Sequence, residues 1–62
     1  MNNLIIDAAN EKILFKIITI TKSYTSEYPN SRENFDKLTI LLFNFLKENN
    51  MKISKIDNIL VN

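Results

Sequence analysis

Residues 28–50 read YPNSRENFDKLTILLFNFLKENN, and the spacing of their apolar side chains decides the fold. Pro29 has no N–H for a central ladder, so the strand that precedes it ends there. Asn30 or Ser31 then caps a helix, and Glu33 stands three residues after Asn30, in the position of a capping-box acceptor. At about 100° per residue, Phe35, Leu38, Leu41, Leu42, Phe45 and Leu46 fall on one face. Glu33, Lys37, Asn44 and Lys47 take the opposite side. Asn49-Asn50 closes the helix, because Asn tolerates the left-handed conformation of a C-terminal cap.

Upstream of this helix the period changes to two. Ile13, Phe15 and Ile17 alternate with Lys12, Leu14 and Lys16 in a stretch running to Tyr28. Its Ile, Thr, Tyr and Phe side chains suit a pleated surface. The stretch exceeds a typical strand of about 5–6 residues, which predicts a hairpin with its turn near Thr19 to Lys22. No Gly, Asn or Pro marks that turn. Further upstream, Leu4-Ile5-Ile6 is a short apolar run ending at Asp7, the pattern of a strand buried on both faces. Ala8 to Glu11 connect it to the hairpin.

Downstream, residues 53–57 form a short connection and Ile59-Leu60-Val61 repeats the buried-strand pattern. The order is strand, hairpin, helix, strand. A strand that follows a helix returns parallel to an earlier one, so Ile59 to Val61 are expected beside Leu4 to Ile6, with the hairpin on the other side. The expected class is α/β, a βββαβ unit that is the first part of a three-layer domain whose second half is missing. An unpaired last strand would invite association, which makes a homodimer through that edge a further expectation.

Composition excludes more than it identifies. Eight basic and seven acidic residues leave a net charge of +1, without the basic excess of a nucleic-acid arm. With no Cys there is no disulfide, thiolate nucleophile or cysteine zinc site, and with no His the usual general base is missing. With no Gly, a glycine-rich phosphate loop cannot form within these 62 residues. The longest run of large apolar side chains is Ile40 to Phe43, far short of the ~20 residues of a membrane span. A cytoplasmic location, no membrane contact and no cofactor are expected. A domain of this size buries only roughly 60% of its unfolded surface, so a partner or further chain is expected to complete it.

The run Leu-Ile-Ile-Asp-Ala-Ala-Asn at 4–10, the hairpin, Asn30-Ser31-Arg32-Glu33-Asn34, the helix, and Ile56-Asp57-Asn58-Ile59-Leu60-Val61 together resemble the start of the TsaB-like, or glycoprotease-like (Gcp-like), family. Members of that family are non-catalytic subunits of the machinery that makes threonylcarbamoyl-adenosine in tRNA. The resemblance covers the whole chain as the N-terminal part of a single Gcp-like domain, about the first quarter of a family member. It implies a ribonuclease-H-like fold, shared with actin, sugar kinases and heat-shock ATPases. It also implies docking on a catalytic TsaD-like partner through the helix, a TsaE-like ATPase as third component, and only indirect contact with tRNA. A fragment of the catalytic TsaD-like relative is the enzymatic alternative. That relative characteristically carries Cys-Asp-Glu after the acid and Ser that follow the first strand, whereas here Ala8 and Ala9 lead into Asn10 and Glu11. A stand-alone, self-associating α/β module is the third reading.

Four groups of residues are candidates for function. Ile40 and Phe43 lie away from the core face of the helix, and with Asn44 and Lys47 they form the expected partner-binding surface. Scattered surface apolars are the plain alternative. Asp7 stands where ATP-binding relatives place an acid near phosphate and metal. The Cβ atoms of Ala8 and Ala9 restrict close backbone approach there, which favours a carboxylate held in a turn. Lys12, Lys16 and Lys22 with Tyr24 and Tyr28 would make a basic-aromatic face for single-stranded RNA, offset by Glu11 and Glu27. The hydroxyls from Thr19 to Ser26 lack a base, and Glu33 with Asp36 fits a helix N-terminus without any paired-carboxylate role.

Overall fold

The computed structural model describes all residues from Met1 to Asn62. Its framework is a hairpin of β2 (Lys12–Ile18) and β3 (Ser23–Pro29). The pairing sets Ile13 opposite Tyr28, Phe15 opposite Ser26 and Ile17 opposite Tyr24. Paired residues share a face, so this register puts Ile13, Phe15 and Ile17 together with both tyrosines on one side. The turn falls where the sequence predicts it. Thr19 supplies what Gly or Asn would otherwise give: its Oγ1 accepts from the Lys22 N–H at 3.0 Å and donates to the Lys22 carbonyl at 3.1 Å.

β1 (Asn3–Asp7) pairs antiparallel with β2, and β4 (Asn58–Val61) pairs parallel with β1. The sheet order is β3-β2-β1-β4, with the hairpin and the last strand on opposite sides of β1 as expected. Two polar clamps fix the junctions. Asn2 N–H donates to Asp57 Oδ2 at 2.7 Å while Asp57 N–H donates back to the Asn2 carbonyl at 2.8 Å. Asn30 Nδ2 donates to the carbonyls of Ala8 and Asn10, at 2.9 and 2.7 Å, and ties the end of β3 to the β1–β2 loop.

Both hairpin pairings are antiparallel and the β1–β4 pairing is parallel, so β3, β1 and β4 all point the same way. The chain from β3 to β4 is therefore a β-α-β crossover between the two outer strands, and its helix must pass over β2 and β1. The fully buried side chains lie where that path predicts: Leu4 from β1, Ile13, Phe15 and Ile17 from β2, and Phe45 and Leu46 from the helix. The Phe15 ring meets Tyr28 edge-on at 5.9 Å between centroids and Phe45 at 5.8 Å.

The helix departs from expectation at its start. It is not continuous but divides into α1 (Arg32–Asp36) and α2 (Leu38–Glu48). Lys37, at φ −113° and ψ 28°, lies between them. This break swings Phe35 away from the stripe set by Leu38, Leu41, Leu42, Phe45 and Leu46, and leaves it 53% exposed. Of the two residues the sequence offers as N-cap, Ser31 takes the position, accepting from the Asn34 N–H at 3.1 Å. Glu33 faces Lys37 instead, at 3.7 Å. A second departure concerns β4. Ile59, Leu60 and Val61 are 52%, 60% and 74% exposed, because α2 covers β1 and β2 and no layer covers the last strand on either face. Of the three expected layers, the chain builds two.

The helix end follows the reading from sequence. Asn50 adopts φ 53°, the Met51 N–H donates to the Leu46 carbonyl at 2.9 Å, and the Asn50 N–H donates to the Lys47 carbonyl at 3.1 Å. This is a Schellman cap with Asn in the position Gly most often fills, and Met51 folds back against the core. We expect Asn50→Val to lower stability by about 1–2 kcal/mol, the cost of a β-branched side chain in the left-handed region. Asn50→Gly should cause no loss. Thermal unfolding followed by circular dichroism checks both, and equal melting temperatures for the two variants would contradict the cap assignment.

Candidate partner-binding surface

Ile40, Phe43, Asn44 and Lys47 follow one another at i, i+3, i+4 and i+7 on α2, the spacing of a single helix stripe. The inward stripe is filled by Phe45 and Leu46, so this one points away from the sheet. Ile40 is 61% exposed and Phe43 52%, and Asn44 and Lys47 are exposed beside them. The structure thus brings the four predicted residues onto one open surface.

The stripe does not stop at the helix end. The Schellman cap reverses the chain, and the short 3₁₀ turn Ile53–Lys55 comes up beside it. A shallow depression results, with Phe43, Leu46, Met51 and Ile53 as its apolar lining and Lys47, Asn50 and Lys52 at its rim. Sequence reasoning assigned Ile53 only to a connection. The signal that would have found it is the cap itself, since an αL residue at Asn50 returns the following chain toward the third residue from the helix end. An exposed aromatic ring beside aliphatic side chains, rimmed by lysines, suits docking of an apolar anchor with a polar or acidic border.

The other candidates fall elsewhere. Asp7 closes β1 by accepting from the Ala9 N–H at 3.1 Å, a side-chain turn within the β1–β2 loop. The loop forms a shallow surface lined by Ala9, Asn10, Glu11 and Lys12. No group of three or more Asp or Glu side chains gathers in a geometry that would hold a metal ion. The proposed basic-aromatic face does not exist. The hairpin register turns Tyr24 and Tyr28 toward the core and Lys12 and Lys16 to the other side of the sheet, and Lys22 lies in the turn outside both strands, so the strand lysines and the rings do not share a surface. Lys12 instead sits 3.8 Å from Glu27, an exposed pair of small energetic consequence. Glu33 and Asp36 are exposed on α1, and Thr19 serves the hairpin turn.

The architecture is a ribonuclease-H-like βββαβ unit. Two solved structures carry the same arrangement. YeaZ from Pseudomonas aeruginosa superposes with a TM-score of 0.84 at 16% identity, over 98% of this chain and 29% of that one. An uncharacterized protein with similarity to peptidase YEAZ from Pseudomonas aeruginosa superposes with a TM-score of 0.85, also at 16% identity, over 98% of this chain and 28% of that one. The chain thus spans under a third of the length of the proteins it matches. No family model matches the sequence, and no curated protein matches it. The shared property is the fold. No helix is long and apolar enough to cross a membrane.

The two phenylalanines of α2 separate the core from the surface. Phe43→Ser should leave the folded content and unfolding midpoint nearly unchanged, within about 0.5 kcal/mol, as for other exposed positions. Phe45→Ser should cost at least about 3–5 kcal/mol, most of the ~3–9 kcal/mol expected for a domain of this length. Denaturant titration with far-UV circular dichroism distinguishes them, and comparable losses would mean that Phe43 is a core residue.

Proposed function

We propose that this chain is the front part of a TsaB-like subunit, which supports threonylcarbamoyl modification of adenosine in tRNA by binding a TsaD-like catalytic partner. The observation that carries the reading is the open α2 stripe of Ile40, Phe43, Asn44 and Lys47, on a fold shared with YeaZ, which is TsaB. The sequence resemblance, made from the order and spacing of the same elements, supports it independently of the superposition.

In this reading the chain performs no chemistry. Its contribution is positional: Phe43 and Ile40 enter an apolar site on the partner, while Asn44 and Lys47 set orientation at the rim. α2 serves this role because its other face is anchored on β1 and β2, so the stripe is held in place before binding and little ordering cost remains. A TsaE-like ATPase would join the partner rather than this surface, and tRNA would be met through the complex. The enzymatic alternative has less support, since Asp7 is engaged with Ala9 and is followed by two alanines where a reactive loop would need hydroxyl or glycine.

The test is titration calorimetry of a TsaD-like protein against the chain carried in its native reading frame. Phe43→Asp should weaken binding at least about 30-fold, the range of an interface anchor, with the circular dichroism spectrum unchanged. Lys16→Asp, on the far side of the sheet, should leave binding as it is. Unchanged affinity for Phe43→Asp would remove the α2 surface from the account.

A further inference from the structure

The net charge of +1 conceals a separation of charge along the strands. β1, β3 and β4 begin at one end of the sheet, where β2 finishes and α2 returns the chain to β4. That end carries Lys22 in the β2–β3 turn, Lys47 in the last turn of α2, and Lys52 and Lys55 at the 3₁₀ turn. Only two acids, Glu48 and Asp57, accompany them, and Asp57 is engaged by the Asn2 N–H at 2.7 Å. The other five acids gather at the opposite end, at the close of β1, in the β1–β2 loop, late in β3 and on α1.

The two ends act separately. β2 spans seven residues, about 20 Å at ~3.3 Å per residue. Screening at physiological ionic strength acts over about 8 Å, so the acidic end lies roughly two screening lengths away. A ligand that approaches the basic end meets the local balance and not the sum. The pairing differs in the same way. At the acidic end Lys12 is paired with Glu27 and Lys37 with Glu33, whereas no lysine at the basic end has a carboxylate partner. Lys47 has an internal use, since a cation in the last turn offsets the negative end of the helix dipole. Lys22, Lys52 and Lys55 have no such use, and all three are exposed.

Their backbones are nevertheless fixed. Thr19 Oγ1 holds the Lys22 N–H at 3.0 Å, and the Lys55 N–H donates to the Lys52 carbonyl at 2.9 Å. Asn2 Nδ2 donates to the Lys55 carbonyl at 3.0 Å, which seats the 3₁₀ turn beside the start of β1. β1 and β3 are two strand spacings apart, so Lys55 and Lys22 are carried about 10 Å from each other across the end of the sheet.

We propose that this end of the chain binds the phosphate backbone of RNA directly, through Lys22, Lys52 and Lys55. This rests on the reading of the chain as a subunit that supports modification of tRNA, and it adds a direct contact where the family resemblance implies only an indirect one. An acidic protein segment is the competing ligand. Such a segment docks where charge and an apolar anchor coincide, and Lys22 and Lys55 lie outside the depression that Phe43 and Ile53 line. Charge without an anchor suits a ligand held by charge alone. Lysine is a point charge that attracts phosphate oxygens without the planar fork of Arg. Contacts of this kind position RNA and do not read its bases.

The test is fluorescence anisotropy of a labelled RNA hairpin of about 12 base pairs and arbitrary sequence, titrated with the 62-residue chain between about 20 and 200 mM salt. Three phosphate contacts predict weak binding, with a slope of log K against log salt near −3, about −0.9 per contact. Lys22→Gln and Lys55→Gln should each reduce that slope by about one. Together they should weaken binding at least about tenfold at the lowest salt, with the circular dichroism spectrum unchanged. Lys12→Gln, at the acidic end, should leave RNA binding as it is. No binding at the lowest salt overturns the proposal, as does binding that the double variant leaves intact. Tighter binding of polyglutamate at equal charge also overturns it and makes the end an acidic-protein surface. The docking reading is tested separately, because Phe43→Asp should spare RNA binding and the two lysine variants should spare affinity for the TsaD-like protein. Unchanged docking in Phe43→Asp with RNA binding still lost in the lysine variants would remove the α2 surface and support the basic end.

Discussion

The structure depends on one topological constraint: β3 and β4 are parallel and stand at opposite edges of the sheet. The helical connection must cross the two strands between them, and every fully buried side chain lies under that crossing. Phe15 is the centre of the contact, with Phe45 above it and Tyr28 beside it. Burial at about 25 cal/mol per Å² of apolar surface makes this core the main stabilising term, and six residues provide little redundancy. The polar clamps at Asn2–Asp57 and Asn30 are local by comparison. They hold strand ends in register but bury nothing.

The same constraint explains what stays open. One helix covers two strands, so β4 and the far face of the sheet remain uncovered in this chain. The stripe of α2 that faces the sheet is consumed by the core, and the outward stripe carries Ile40 and Phe43. The functional reading therefore lives on surfaces and edges. Neither depression on the molecule is enclosed, and in the β1–β2 loop Asp7 holds the Ala9 N–H while Asn30 holds the Ala8 and Asn10 carbonyls.

Much of this was legible in the sequence. The period of two in β2, the period of 3.6 after Leu38 and the apolar runs at both ends give the element order and the pairing of β1 with β4. Asn50 announces the helix end. The failures have physical causes. Phe35 fits the helical period by spacing alone, but the backbone departs from helical geometry at Lys37, and a periodicity count cannot see a break of one residue. Asn30 and Ser31 both suit an N-cap, and the sequence alone does not choose between them, because the Asn30 amide is taken by Ala8 and Asn10, a contact between residues about twenty apart. The basic-aromatic face failed because residues close in sequence alternate between the two sides of a strand. Ile59 to Val61 have the composition of a buried strand, and composition does not say whether the covering layer lies within the chain. The stripe of Ile40, Phe43, Asn44 and Lys47 was legible because one helix fixes its geometry, whereas the share of Ile53 required the turn beyond it.

A protein that works by docking should report its partner on α2 and nowhere near the β1–β2 loop. The most direct measurement is an amide NMR titration of the isotope-labelled chain with a TsaD-like protein. The account predicts shift changes and line broadening centred on Ile40, Phe43, Asn44 and Lys47, extending to Ile53, with Asp7 to Lys12 unaffected. Perturbations concentrated on Asp7 to Lys12 would contradict it and return attention to a reactive loop.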